Sequence, residues 1–203
     1  MSAADPYFDV EHGLLRNRLG IVDPVELAQV EAELTALRLV ELQDERIAGG
    51  YDLAHFQAFH RFIFGDVYDW AGELRSVVIG KGDVFCLPQF IESFAADVFG
   101  RLAGPGFLRG LGRARFVEEL ADLFADVNAL HPFREGNGRA QRAFLAQLAA
   151  DAGWRLRWAS MDPQENVRVS QQAHRGDVVP LRLLLDGLID AGGSGPVLPQ
   201  RAP

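Results

Sequence analysis

The chain predicts an all-α fold of about eight helices carrying one β-hairpin. Three observations carry that prediction. Apolar residues recur at three- and four-residue spacing through most of the 203 residues. Turn formers such as Asp23-Pro24, Gly49-Gly50 and the five glycines between 100 and 112 cut the periodic sequence into helix-sized lengths. The stretch from Ser76 to Cys86 gives the only convincing strand signal, with β-prone residues on both sides of Gly80-Lys81-Gly82-Asp83.

In chain order, the first 24 residues read as irregular. Asp23 caps and Pro24 opens a helix in which Leu27, Val30, Leu34 and Leu37 recur to about Gln43. A second helix spans about Asp52 to Phe64, with Leu53, Phe56, Phe59, His60 and Ile63 on its apolar face. The compact aromatic segment Asp66 to Arg75 leads into the hairpin, which has to lie on the helical body because a lone hairpin is marginal in water. Pro88 opens a helix to about Leu102, and Phe116 to Leu130 marks a strongly periodic one. That helix is expected to stop near His131, because Pro132 disfavours helical geometry at the residue before it. Helices follow over about 136–151, from Asp162-Pro163 to His174, and over 179–189, with a short extended piece at Trp154 to Trp158. The expected organisation is one domain over 1–190, with an N-terminal helical extension at 1–49, a core at about 50–190, and a flexible Gly/Pro-rich tail at 191–203.

Composition limits the partners. A net charge of -8 argues against direct nucleic-acid binding, which depends on clustered positive charge. No apolar run reaches the ~20 residues that cross a membrane, and the N-terminus lacks the pattern of a secretory signal. Cys86 is the only cysteine, which suits a reducing cytoplasm. Lys81 is the only lysine, so a lysine in a Gly-rich turn stands out.

The chemistry gathers in His131-Pro132-Phe133-Arg134-Glu135-Gly136-Asn137-Gly138-Arg139-Ala140-Gln141-Arg142. Gly136, Asn137 and Gly138 stand at a helix start, where unpaired N–H groups and the helix dipole form a nest for an oxyanion. Arg139 and Arg142, three residues apart, are expected to share a face, and guanidinium forks match phosphate oxygens. A nest with two arginines suggests a polyphosphate. Glu135 beside it would repel that ligand unless a cation intervened, and Mg²⁺ is commonly held by one or two carboxylates plus substrate phosphates. His131 is a suitable general base for a hydroxyl nucleophile. Each residue alone has a plain structural reading as a cap, a turn or a solvated face; together they suit one task. The chain has neither a P-loop, nor a Gly-x-Ser-x-Gly elbow, nor a His-Glu-x-x-His zinc site.

This stretch resembles the Fic family signature, His-x-Phe-x-(Asp/Glu)-Gly-Asn-Gly-Arg-x-x-Arg, with every fixed position present. Tyr68 to Arg75 followed by the Lys81-Gly82 hairpin is similar to the family's substrate-docking flap, and the likeness extends over roughly residues 10–190. The resemblance implies a Fic fold with the hairpin as a flap over the active site, and transfer of AMP from ATP to a Tyr, Thr or Ser hydroxyl of a target protein. In that mapping His131 deprotonates the hydroxyl and Glu135 holds Mg²⁺. Gly136, Asn137 and Gly138 hold the α-phosphate region, and Arg139 and Arg142 hold the β- and γ-phosphates. Lys81, Gly82 and Phe85 lie near nucleotide and target, and the flap pairs with the target backbone as an added strand.

Family members are often inhibited by a helix carrying Ser/Thr-x-x-x-Glu-Gly/Asn, whose glutamate pairs with the second signature arginine. No Ser or Thr here has Glu four residues later; the nearest miss is Ser160, followed by Gln164 and Glu165. The chain therefore resembles the stand-alone, toxin-like branch, in which a small antitoxin supplies the glutamate, with Arg142 as its contact. The expected compartment is the cytoplasm, or a host cell if the chain is a piece of a secreted effector. The alternatives are phosphate or UMP transfer on the same fold, against which Gly138 argues because phosphotransferring members carry Lys there, and a non-catalytic nucleotide-binding module.

Overall fold

Capping and periodicity account for most of the architecture in the computed structural model, which describes residues 5–104 and 106–190. Helix α1 spans Pro24–Glu41, with the Asp23 carboxylate accepting from the Val25 and Glu26 N–H groups. Helix α2, Leu53–Phe64, starts at Asp52, whose side chain accepts from the His55 N–H. Helices α3 (Ile91–Ala103), α4 (Arg113–Leu130), α5 (Asn137–Asp151), α6 (Pro163–His174) and α7 (Val179–Leu188) follow. The described residues thus hold seven α-helices, not eight, with short 3₁₀ turns at Pro88–Phe90 and Trp158–Ser160. Pro88 opens the first of these turns and not α3 itself, which leaves Phe90 54% exposed.

Among the described residues a second antiparallel hairpin accompanies the expected one. Strands β1 (Phe8–Asp9) and β2 (Leu14–Leu15) pair near the N-terminus, in sequence that reads as irregular. Tyr7 anchors them, since its ring is buried and its hydroxyl donates to the Leu74 carbonyl at 3.4 Å. In the flap, β3 (Gly80–Lys81) pairs with β4 (Asp83–Val84), and Lys81 lies opposite Asp83. Only Gly82 separates them, at φ 90. The ladder therefore occupies the Gly-rich stretch that reads as the turn, while Ser76 to Ile79 form no strand.

One apolar cluster runs from Tyr7 to Ile189, with Phe56, Phe59, Phe99, Phe133 and Phe144 packed edge-to-face or tilted at its centre. Each fully buried phenylalanine contributes roughly 1.5–3 kcal/mol over an exposed one. Helix α5 packs against α2 and α4, so the start of α5 and the end of α4 face one another over this core. Helix α1 lies against α2 with Leu27 and Thr35 buried, while Leu37, on its expected apolar face, is 61% exposed. The extended piece near Trp154 pairs through Leu156 with Ile189. The tail expected at 191–203 lies outside the described residues.

Candidate active site

Helix α4 ends at His131, whose backbone is left-handed at φ 42 and ψ 58. A left-handed non-glycine residue costs roughly 1–2 kcal/mol. Its carbonyl accepts a bond from the Arg75 Nε at 2.8 Å, and a bond from a charged donor contributes about 1.5–3 kcal/mol, enough to offset the cost. The His131 Nδ1 faces the Asn128 carbonyl at 3.1 Å. A carbonyl only accepts, so Nδ1 carries the proton, and in the neutral ring Nε2 carries the lone pair. The imidazole lies flat on the Phe85 ring, centroids 3.7 Å apart and planes 4° from parallel.

The loop that follows is clamped from inside. Phe133 is fully buried and stacks on His60 at 3.9 Å. Asn137 Oδ1 accepts from the Phe133 N–H at 2.9 Å, and its Nδ2 donates to the Phe133 carbonyl at 2.8 Å. Gly136 is left-handed at φ 78, and a Cβ there would come within 2.2 Å of the Phe64 ring, so no side chain fits. Buried His60 donates from Nε2 to the Glu135 carbonyl at 2.9 Å and accepts the Gly72 N–H on Nδ1 at 2.8 Å. Burial drives its pKa down to about 4, so it is neutral near pH 7.

This clamp leaves the anion nest open. Among the described residues no acceptor meets the N–H groups of Asn137 and Gly138, at the positive end of the α5 dipole. The Glu135 carboxylate accepts the Gly136 N–H at 2.9 Å and lines the same cleft. No cluster of three or more His, Cys, Asp or Glu side chains suited to a metal occurs among the described residues. A single carboxylate fits a cation whose remaining ligands are phosphates and water, as Mg²⁺ prefers.

The two arginines, three residues apart on α5, send their side chains to different partners. Arg142 lines the cleft, and among the described residues no carboxylate lies within ion-pair distance. Burial, with Arg139 nearby, pulls its pKa down from the ordinary arginine value. Gly138 makes room for it, since a Cβ there would lie 3.3 Å from the Arg142 Nη1. Arg139 turns instead towards α1. It pairs with Glu31 at 2.6 Å, donates to the Thr35 hydroxyl at 3.1 Å and lies 4.6 Å over the Phe64 ring. Glu31 also accepts from the Tyr68 hydroxyl. An in-chain glutamate thus does meet a signature arginine, but the first and not the second.

The cleft has a volume of about 590 Å³. The signature loop forms one wall, α6 the other, and the flap residues Ile79, Gly80, Asp83 and Phe85 lean over it. Asp83 pairs with Arg175 just past α6 at 2.9 Å, tying the flap to that wall. Gly82 sits at the hairpin tip, and the contacts expected of the Lys81 side chain lie outside the described residues. On α6, Asn166 Oδ1 and His174 Nδ1 are buried with no hydrogen-bond partner among the described residues, and both residues line the cleft.

Comparison with known proteins agrees with this geometry. The sequence profile of the Fic/DOC family matches residues 50–149. The chain is 37% identical over 190 residues to a protein of Escherichia coli K12 named "Probable protein adenylyltransferase Fic", covering 93% of this chain and 94% of that one. The chain belongs to the Fic/DOC family. It is also 41% identical over 174 residues to the protein adenylyltransferase VbhT of Bartonella schoenbuchensis, but spans only 36% of that longer protein. Among solved structures, the Fic domain of a VirB-translocated Bep effector of Bartonella quintana with bound ADP superposes with a TM-score of 0.84 at 26% identity, covering 91% of this chain and 94% of that one.

The Fic profile spans α2 to α5 and so contains the signature, the flap, His60 and Arg75, while Glu31 and the α6 wall lie outside it. Five contributors were not named as site residues by the sequence reading. His60 reads as one more residue of an apolar face, and Arg75 as the end of an aromatic segment. Glu31 is separated from Arg139 by 108 positions, and Asn166 and His174 belong to no motif. The one available signal was a histidine within the fully apolar stripe of α2.

Proposed function

We propose that this chain is a protein adenylyltransferase that moves AMP from ATP to a hydroxyl side chain of a target protein. The observation that carries the reading is the placing of His131, with its Nδ1 proton held by the Asn128 carbonyl, in the same cleft as the open N–H groups at the start of α5 and the cleft-facing Arg142. The ADP bound in the Bartonella quintana domain, and the adenylyltransferase names of the relatives, support a nucleotide in this cleft.

The target hydroxyl gives its proton to His131 Nε2 while its oxygen attacks the α-phosphorus. The bond from that phosphorus to the bridging oxygen of the β-phosphate breaks, and pyrophosphate leaves. The N–H groups of Asn137 and Gly138 hold the α-phosphate oxygens, and Arg142 takes an outer phosphate from the position it already holds. Arg139 reaches the phosphates by exchanging Glu31 for them. Glu135 would hold Mg²⁺, which would supply neutralisation of phosphate charge. Lys81, Gly82 and Phe85 belong to the flap that would dock the incoming target segment. Asn166 and His174, with unsatisfied polar atoms in the opposite wall, are placed for the nucleoside.

The chain acts in the cytoplasm with a separate small antitoxin. Among the described residues no carboxylate pairs with Arg142, whereas Arg139 already has Glu31, so a glutamate supplied by a partner would close on Arg142. No helix of the described residues is long and apolar enough to cross a membrane. Incubation with a cell lysate and α-labelled ATP tests the activity. A labelled protein band supports it, and label delivered only from the γ position contradicts it. Arg142→Ala is expected to weaken ADP binding, and unchanged affinity refutes its role.

A further inference from the structure

Arg75 is 2% exposed, and among the described residues no carboxylate pairs with it. A buried guanidinium is costly unless its donors are met. Here main-chain carbonyls meet them. Nε donates to the His131 carbonyl at 2.8 Å, Nη1 to the Val77 carbonyl at 2.7 Å, and Nη2 to the Cys86 carbonyl. The Arg75 backbone N–H donates to the Pro132 carbonyl at 2.9 Å. One residue therefore holds two consecutive carbonyls of the signature loop and both feet of the flap. The Cys86 N–H, in turn, donates to the Ala129 carbonyl at 2.9 Å in the last turn of α4.

We propose that Arg75 is a positioning residue that locks the flap to the general base, so that the segment docking the target and the histidine taking its proton keep one fixed offset. The proposal rests on the adenylyltransferase reading for its consequence and on the four hydrogen bonds for its geometry. A guanidinium that merely filled the core would need only acceptors. This one is shared between the two parts whose separation sets the distance from target hydroxyl to His131 Nε2. The fork matters as much as the charge, because a lysine ammonium at the same site is a point donor and cannot span three diverging carbonyls. Nothing in the four bonds involves the anion nest or Arg142, so nucleotide binding should survive the loss of the fork.

The test uses Arg75→Ala and Arg75→Lys in the full chain, with ADP titration and AMP transfer from α-labelled ATP into lysate proteins. ADP affinity is expected to stay within about threefold. Transfer is expected to fall by roughly 10²-fold, the order that a misplacement of about 1 Å costs. Added guanidinium at tens of millimolar is expected to restore much of the Arg75→Ala rate and none of the Arg75→Lys rate, because the lysine side chain still occupies the site. Wild-type transfer in either variant overturns the proposal. So does a loss that follows lost ADP binding, or that guanidinium leaves untouched. If the wild-type chain itself transfers no label, the adenylyltransferase reading fails, and hydrogen exchange decides Arg75 alone. Arg75→Ala should then expose the Cys86 and His131 amides much faster than those of the α2 core, and equal exchange overturns the lock.

Discussion

The imidazole of His131 and the ring of Phe85 lie face to face, 3.7 Å between centroids and 4° from parallel. The flap therefore touches the proposed general base directly, and restricts the ring from one side while the Asn128 carbonyl fixes its rotation. An aromatic pair of this kind contributes about 0.5–1.5 kcal/mol beyond buried area. Phe85→Ala is expected to slow AMP transfer roughly tenfold, equivalent to about 1.4 kcal/mol, with ADP affinity unchanged. Phe85→Tyr should retain most activity. Wild-type rates in Phe85→Ala would show that the stacking does not orient the ring.

Gly136 has no tolerated substitute. Its φ of 78 and the Phe64 ring 2.2 Å from a would-be Cβ combine two penalties. The backbone term alone is about 1–2 kcal/mol, and the collision adds displacement of a core ring. Gly136→Ala should lower the denaturant midpoint by an amount equivalent to at least about 2 kcal/mol. An unchanged midpoint would mean that the loop relaxes freely, contrary to the clamp by Asn137.

Glu31 pairs with Arg139 at 2.6 Å, closer than Glu135 of the cleft at 3.8 Å. Glu31→Gln keeps the shape and removes the charge. Stability should drop by about 1–3 kcal/mol, as for a partly buried polar group losing its charged partner. ADP should bind more tightly, by roughly tenfold, about 1.4 kcal/mol, because Arg139 no longer has to leave a carboxylate. Weaker ADP binding in this variant would assign Arg139 to anchoring α1 alone.

How much of this was legible in the sequence depended on distance along the chain. The signature loop is contiguous, so its histidine, carboxylate and nest were readable together, and the periodic helices followed from capping and spacing. The Glu31–Arg139 pair was not, since nothing local links residues 108 positions apart. Arg75 was missed because its partners are main-chain carbonyls, which no side-chain pattern encodes. The flap register was misplaced because β-propensity pointed to Val77 to Ile79, whereas Gly80 to Val84 pair. A Cβ at Gly80 would come within 2.7 Å of the Asp83 carbonyl, so close backbone approach set the ladder there.

His60 makes stability depend on pH. Its folded pKa, about 4, lies below its ordinary value of 6.5 because burial disfavours the cation. Between those values the unfolded chain binds more protons, so stability rises with pH through this window. The contribution is complete above about pH 6.5 and is lost as pH falls towards 4, a change of about 3 kcal/mol. His60→Gln should flatten this part of the profile measured by urea unfolding from pH 4 to 7. An unchanged slope would mean that His60 is protonated in the fold.

The direct test of the central claim follows both phosphates of one nucleotide. Wild-type and His131→Ala chains are incubated with Mg²⁺, cell lysate and ATP labelled at either the α or the γ position. The expected result is protein-bound label from α only, reduced by roughly 10²–10⁴-fold in His131→Ala, while ADP binds both chains equally. Label from γ, or full α-label transfer by His131→Ala, would contradict it.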